Sequence, residues 1–353
     1  MALAPLAARG DPSKGRIFPS DRRRFLDPAT EFEVIRLTDP SYSSRLPPVY
    51  ARAVSRRGAF LVFSCDRTGS PQVFRLDLKT GEQRQLTDAA SLDPATLTLA
   101  PDERSVLYFD GETLQRTFFA GLRSHLVYRL PEGSRRGTGC SVSEDGVYGF
   151  LVEIQAGVYR LKLLSLTRGT AATVIESKTS IETPLPRPRR AGLLYRRAGD
   201  RLALVDFDGR NDHLLTTAPG GIGPFLWSAD GRTVLYLHFP RDQKILRGIR
   251  ELTPDTDTDR LVAPTSQFAT FSRNSDASVF VGASLNKASP HMLILLRVAH
   301  RELTLCEHGS SDPASTAPLF TSDSQRVIFQ SDKHGKPALF TMGIEKLVSN
   351  TEP

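Results

Sequence analysis

The chain has 353 residues, of which 39% are hydrophobic, and a formal net charge of +7 at pH 7. This composition is sufficient for a folded core, and no apolar run is long enough to cross a bilayer, which excludes a membrane-spanning helix. The cysteines at positions 65, 140 and 306 are odd in number, far apart and without the spacing of metal ligands. We therefore expect three free thiols in a reducing, cytoplasmic location.

The N-terminus is interpreted as a tail. Residues 1–9 have neither the basic start nor the full apolar stretch of a signal peptide. We expect residues 1–24 to form a tail and lead-in, and residues 25–353 to form one domain.

A short motif recurs seven times after this lead-in, each time as a tight turn, an apolar strand, a polar turn and a second strand. The copies begin 40 to 47 residues apart, at Gly58, Asp102, Glu144, Arg189, Ala229, Ser275 and Ser322. This period is the sequence signature of a β-propeller with one four-stranded blade per repeat. The sequence therefore predicts an all-β, seven-bladed ring whose function lies on the loops at one mouth of a central channel.

The first clear blade shows the pattern best. Residues 60–63 form an apolar run suited to a buried strand, residues 73–78 alternate, and residues 79–82 form a hairpin turn. The outer strand of this blade, residues 83–87, resembles the isolated segment 33–38 near the N-terminus. We infer that this N-terminal segment completes the last blade, so that neither end leaves a long free edge.

The basic residues are mostly arginines, since only nine of the 46 are lysines. Arginine binds carboxylates and phosphates with two parallel hydrogen bonds, so this bias suggests anionic ligands. The alternative is a GC-rich genome that encodes arginine wherever a cation is needed. Scattered arginine pairs without interleaved aromatic residues do not indicate nucleic-acid binding.

Two families have blades of this kind. Residues 64–77 resemble the blades of TolB-like propellers, whose motif is only moderately specific. A larger part of the chain resembles the oligogalacturonate lyases, seven-bladed enzymes that cut short pectin fragments. The segments that carry this second resemblance are 14–19, 27–30, 34–38, 58–87, 200–209, 305–308, 318–321 and 329–332.

The resemblance implies a β-elimination on a uronate. In that family a base removes the C5 proton, while a metal ion and an arginine neutralise the carboxylate, because charge must be stabilised where it develops. Arg201 occupies the position of the family's catalytic arginine. The alternative is that Arg201 is a solvated strand residue.

This sequence departs most from the family at the metal site. The resemblance implies a manganese-like ion held by three imidazoles and a glutamine, but Thr270, Ser315 and Ala317 stand at the imidazole positions and Asp312 at the glutamine. The family's base histidine is also missing, because residues 223–226 read Gly-Pro-Phe-Leu. The sequence therefore predicts no metal cofactor and leaves catalytic activity open.

His308 lies in a stretch shared with the family and is the candidate for a replacement base or ligand contact. The alternative is a histidine hydrogen-bonded to the backbone of a turn.

Three functions remain open. The first is a lyase-like enzyme acting on short uronate oligosaccharides, with Arg201 and His308 as catalytic residues. The second is a non-catalytic propeller that binds an acidic sugar or a protein partner, and the third is a TolB-like interaction protein. An acidic oligosaccharide is the expected ligand, and neither nucleic acid nor a membrane is expected as a partner.

Overall fold

The computed structural model describes residues 14–242, 244–265 and 267–344. Over these residues the chain forms seven antiparallel sheets, which are the blades of a propeller. The predicted all-β, seven-bladed fold is confirmed. The tail predicted for residues 1–9 lies outside the described residues.

The strands follow in chain order. The N-terminal arm contains β1 (Ile17–Phe18), β2 (Arg23–Leu26) and β3 (Glu33–Arg36). Blade 1 contains β4 (Ser44–Arg45), β5 (Phe60–Cys65), β6 (Gln72–Asp77) and β7 (Gln83–Gln85). Blade 2 contains β8 (Leu92–Leu99), β9 (Ser105–Asp110), β10 (Thr113–Phe118) and β11 (Ser124–Arg129). Blade 3 contains β12 (Ser134–Val142), β13 (Tyr148–Gln155), β14 (Val158–Ser165) and β15 (Ala171–Ser177).

The remaining blades repeat this order. Blade 4 contains β16 (Ile181–Pro186), β17 (Gly192–Arg197), β18 (Arg201–Asp206) and β19 (His213–Leu214). Blade 5 contains β20 (Gly220–Trp227), β21 (Val234–Pro240), β22 (Gly248–Thr253) and β23 (Thr258–Pro264). Blade 6 contains β24 (Phe268–Arg273), β25 (Val279–Ser284), β26 (His291–Leu296) and β27 (Arg301–Glu307). After a 3-10 turn (Pro313–Thr316), blade 7 contains β28 (Leu319–Phe320), β29 (Arg326–Ser331) and β30 (Ala338–Gly343).

The N-terminal arm closes the ring. β3 pairs antiparallel with β30, with Ile35 opposite Thr341 and Arg36 opposite Phe340. β2 then adds outside β3, and β1 adds to the outer edge of blade 1. The predicted pairing of the N-terminal segment with the last repeat is confirmed, and strands already begin inside the lead-in that was expected to end at residue 24.

The core lies between neighbouring blades. Every residue of β5 is buried, because this second strand is covered on both faces by the adjacent blades. Another apolar cluster joins blades 6 and 7, where the rings of Phe329 and Phe340 stack with centroids 5.5 Å apart. Val34 of the arm is buried in the same cluster. No helix in the described part of the chain is long and apolar enough to span a membrane.

A candidate functional site at one mouth of the ring

The innermost strand of each blade runs along the central channel. The starts of β16, β20 and β24 line a cavity at one mouth, and their ends line a cavity at the other. We call these openings the first mouth and the second mouth. The pairing register of the innermost strands shifts near the first mouth, for example between Glu182 and Leu185 and between Ile222 and Phe225. Such bulges turn side chains away from the regular alternation of a strand, and here they shape the wall of the opening.

The first-mouth cavity has a volume of about 570 Å³. Its wall combines residues of several blades, including Arg45, Ala95, Thr183, Arg196, Ile222, Gly223, Pro224, Phe225, Thr270, Ser315, Ala317 and Gln330. This volume is within the range of about 300–1,000 Å³ typical of small-molecule sites.

Arg196 is the fixed cation of this cavity. Its Nη1 donates to Asp200 Oδ1 at 2.6 Å and to the carbonyl of Ile222 at 2.8 Å, and its Nη2 donates to the carbonyl of Gly223 at 2.6 Å. The guanidinium also lies 5.5 Å from the centroid of the Phe225 ring. These contacts join blades 4 and 5 and hold the guanidinium in one orientation. Nε–H and one N–H of Nη2 have no acceptor among the described residues.

Arg45 is the free cation of the same cavity. It lies at the end of β4, is exposed, and its guanidinium has no ion pair or hydrogen bond within the described part of the chain. An adjoining cavity, which shares Pro48, Tyr50 and Ala95 with the first, adds Arg135 and Arg136. Arg136 pairs with Asp93, whereas exposed Arg135 has no such partner among the described side chains. Four arginines and three carboxylates are thus found at these two cavities: Asp200 and Asp93 are paired with arginines, and Glu182 lines the adjoining cavity. The first mouth therefore has a small excess of positive charge among the described residues, with unused hydrogen-bond donors.

Residues 46–50 follow β4 and line both mouths. The amide of Leu46 donates to Gln330 Oε1 at 2.6 Å, so a side chain of the neighbouring blade 7 holds this segment in place. Tyr50 lines both mouths, and burial raises the pKa of its phenol above the ordinary value. Tyr50 therefore stays protonated at neutral pH and can donate a hydrogen bond or a proton.

The positions that the sequence associates with a metal and a base do meet in space. Thr270, Ser315 and Ala317, which stand at the expected imidazole positions, all line the first-mouth cavity together with Gly223 and Pro224. Asp312 lies at the edge of this region, where it caps the 3-10 turn by accepting from the amide of Ala314 at 3.1 Å. The positions aligned with the family's metal and base residues therefore share one cavity, and their assignment to a functional site stays a prediction.

Arg201 lies outside the wall of this cavity. It begins β18, the third strand of blade 4, and its exposed side chain makes one long contact, 3.4 Å from Nε to the carbonyl of Ala198. Its catalytic role stays a prediction. Arg196 was not predicted from the sequence. The sequence feature that could have indicated it is its position near the end of β17, the strand that pairs with β18.

His308 is fully buried and both of its ring nitrogens are engaged by backbone groups. Nδ1 accepts from the amide of Ser310 at 2.9 Å, so Nε2 carries the proton and donates to the carbonyl of Ser284 at 3.0 Å. Burial lowers the pKa of this imidazole, which favours its neutral form. The geometry agrees with the alternative given above, a histidine that fixes a turn, and the catalytic role of His308 stays a prediction.

The comparisons with known proteins point to the same family as the residues. No model of a known protein family matches the chain. An oligogalacturonide lyase of Pectobacterium atrosepticum is 22% identical over 96% of this chain and 100% of its own length. An oligogalacturonate lyase of Dickeya dadantii is 22% identical over 93% of this chain and 97% of its own. This chain is a homologue of the oligogalacturonate lyases.

Solved structures agree with this relationship. An oligogalacturonate lyase in complex with manganese superposes with a TM-score of 0.88 at 23% identity, covering 94% of this chain and 98% of that one. TolB from Acinetobacter baumannii reaches a TM-score of only 0.50 and covers 75% of this chain. The full-length fold is therefore that of the lyases, and the TolB likeness reflects shared blade architecture.

The expectation of no metal cofactor is wrong, because the similar lyase structure contains manganese and points to a metal cofactor in this family. The absence of imidazoles at the aligned positions does not exclude manganese, because carboxylate, carbonyl and water oxygens also bind this ion. At the first mouth Thr270, Ser315 and Gln330 offer hydroxyl and amide oxygens. Among the described residues no group of three or more His, Cys, Asp or Glu side chains could hold a metal. The described side chains of the first mouth do not form an imidazole site, and no step of the reaction is assigned to a metal ion.

Proposed function

We propose that this chain binds short acidic oligosaccharides at the first mouth and cleaves them by β-elimination. The observation that carries this proposal is the position of Arg196 and Arg45 in one cavity at the place where the homologues' site is expected. Those homologues are an oligogalacturonide lyase and an oligogalacturonate lyase, names that specify short acidic oligosaccharides as their substrates.

The two arginines suit different tasks. Arg196 is held by blades 4 and 5, so it presents its remaining N–H groups without having to be ordered on binding. Arg45 is free to turn toward a second carboxylate of the chain. A fixed and a free guanidinium together can recognise two successive uronate residues with charge-assisted hydrogen bonds.

In the elimination, a base removes the C5 proton, the C4–O bond breaks and a C4–C5 double bond forms in the uronate. The oxygen of the leaving sugar takes up a proton. Arg196 would stabilise the negative charge that develops on the carboxylate as C5 loses its proton. The phenol of Tyr50, which lines the same cavity, would donate a hydrogen bond to the leaving oxygen.

Binding without cleavage is the second candidate function. The observation that favours it is that the described wall of the first-mouth cavity contains no imidazole or carboxylate. The carboxylates beside it are Asp200, which is paired with Arg196, and Glu182 of the adjoining cavity. The two functions share one ligand and differ only in whether a product forms.

Ultraviolet absorbance decides between them. We expect oligogalacturonides incubated with the purified chain to develop the absorbance of an unsaturated uronate, measured with and without added manganese. Calorimetric titration of the same oligosaccharides measures binding separately. Binding without absorbance under either condition would support the second function, and absence of both would contradict the proposal.

Arg45→Gln is expected to weaken oligogalacturonide binding by about ten- to a hundredfold, because a charge-assisted arginine–carboxylate contact contributes about 1.5–3 kcal/mol. Arg45 has no partner among the described residues, so its removal should leave the folded structure intact. Calorimetry measures the dissociation constant.

The same titration of Arg201→Gln tests the role predicted for Arg201 from the sequence. Unchanged affinity in Arg45→Gln, together with weaker binding in Arg201→Gln, would indicate that the carboxylate of the oligosaccharide binds Arg201 on the third strand of blade 4. This result would contradict its assignment to Arg45. Arg84→Gln, a change of an exposed arginine in β7, is the control for a general loss of positive charge.

A further inference from the structure

A second cationic cavity lies where the ring closes, between the N-terminal arm, blade 1 and blade 7. It has a volume of about 350 Å³ and is lined by Arg22, Arg24, Lys79 and Arg326, with Asp323 as the carboxylate of the lining. Thr321 belongs both to this lining and to the second mouth. The cavity is therefore at the end of the ring opposite to the first mouth.

Arg22 is the fixed member of this cluster. Its Nη1 donates to the carbonyl of Lys79 at 2.9 Å, and its Nη2 donates to the carbonyl of Leu78. Its Nε is buried and has no hydrogen-bond partner in the described structure. Gly81 permits this close approach, because a Cβ there would lie 2.2 Å from Ser20 Oγ and 2.9 Å from Arg22 Nε. The arm is thus fixed against blade 1, with the Arg22 side chain in the lining of the cavity and its Nε buried against Gly81.

The other cations are open to a ligand. Arg326 and Lys79 are exposed, and neither side chain has an ion pair or hydrogen bond within the described ranges. Arg24 has a loose pair with Glu33 at 3.8 Å, between two well-exposed side chains. Burial lowers the pKa of the Arg22 guanidinium, and the nearby positive charges of Arg326 and Arg24 lower it further, while the carboxylate of Asp77 opposes this effect.

The nearby carboxylates are used by their own turns. Asp323 Oδ1 accepts from Thr321 Oγ1 at 2.6 Å and from the amide of Gln325 at 3.0 Å. Asp77 Oδ1 likewise accepts from the amides of Lys79 and Thr80 at 2.9 and 2.7 Å. These oxygens face local donors, so the positive charge of the cluster is only partly compensated.

We propose that this cavity binds a doubly charged oxyanion, as inorganic phosphate or as the phosphate group of a small ester. Several guanidinium groups and an ammonium provide more donors than one carboxylate can accept, whereas a phosphate group has three or more acceptor oxygens. The cavity is larger than a single anion needs and is near the lower limit of about 300 Å³ for small-molecule sites, which leaves room for an ester substituent. A bound anion would contact the arm and blade 7 at once and so relieve the repulsion between them.

Calorimetric titration of the full chain with inorganic phosphate, at constant ionic strength set with chloride, tests the proposal. We expect saturable binding to the wild type and a loss of affinity of about tenfold or more in Arg326→Gln, since one charge-assisted contact is removed. Arg301→Gln, at an exposed and unpaired position of β27, is the matched control and should bind phosphate as the wild type does. Thermal unfolding without phosphate verifies that both variants are folded.

A second series of titrations uses glucose 1-phosphate and galacturonate in place of inorganic phosphate. Tighter binding of the ester than of inorganic phosphate would identify an ester as the ligand, and equal binding would identify the free anion. Equal binding of galacturonate and phosphate would contradict the preference for a double charge. Absence of saturable phosphate binding, or equal affinity in the wild type and Arg326→Gln, would overturn the proposal without affecting the function assigned to the first mouth.

Discussion

Phe329→Ala is expected to lower the free energy of unfolding by about 3–5 kcal/mol, the range found when a buried phenylalanine is truncated to alanine. Phe329 lies on the second strand of blade 7, is fully buried and stacks on Phe340 of β30 at 5.5 Å. Truncation leaves a cavity in the cluster that joins blade 7 to blade 6 and the arm. Close-packed blades on both sides cannot collapse into that space.

Urea unfolding followed by circular dichroism measures this effect. Phe32→Ala is the matched control, because Phe32 is 38% exposed and should change the free energy of unfolding by less than about 1 kcal/mol. Similar effects in both variants would show that the interface between blades 6 and 7 does not limit stability.

Asp255→Ala is expected to cost about 3 kcal/mol of unfolding free energy, because it leaves a buried guanidinium without its carboxylate. Arg187, directly after β16 of blade 4, is 6% exposed and donates to both oxygens of Asp255 at 2.8 and 2.9 Å. Without Asp255 the guanidinium keeps only the carbonyl of Gly231, at 2.7 Å from Nε, and the face of Trp227. The value is at the lower end of the range for broken buried pairs, since Asp255 itself is 43% exposed in its side chain.

Trp227 is the single tryptophan of the chain, so its fluorescence during urea unfolding reports on this junction. Asp208→Ala removes an exposed pair with Arg210 at 3.5 Å and should cost at most about 1 kcal/mol. Equal losses in the two variants would contradict a special role for the contact between blades 4 and 5.

The pair of Arg187 and Asp255 also predicts that the free energy of unfolding depends on pH. Hydrogen bonding to Arg187 is the main cause that lowers the pKa of Asp255 below its usual value. A carboxyl with a lowered pKa stabilises the folded state above the unfolded value of about 3.9 and loses this contribution as the pH falls through the lower folded value. The stability difference between the wild type and Asp255→Asn should therefore shrink below about pH 4.

The repeat pattern was sufficient to predict the fold, because each blade repeats local strand and turn signals within its own stretch of sequence. The ring closure was also predictable, since residues 33–38 look like an outer strand without a blade of its own. The alignment on the family's motif also predicted that Thr270, Ser315 and Ala317 lie close together, and these three residues do line one cavity at the first mouth.

The identity of the site's cations was not predictable from one sequence. Arg196 is distinguished from Arg201 by contacts with the carbonyls of Ile222 and Gly223, which belong to the next blade. Contacts across blades depend on bulges in the innermost strands, and these have no clear local signal. The two backbone partners of His308 likewise come from separate loops, so its structural role became visible only in three dimensions.

The pairing of β3 with β30 also constrains the order in which the ring can form during synthesis. The arm leaves the ribosome before its partner strand, which ends at Gly343, so about three hundred residues must be made before the two can meet. Until then β30 keeps an unpaired outer edge, and such edges are prone to association with other chains. Closure depends on contacts of very large sequence separation, which makes it intrinsically slow. The last step in forming the ring is therefore expected to be the pairing of the arm with blade 7.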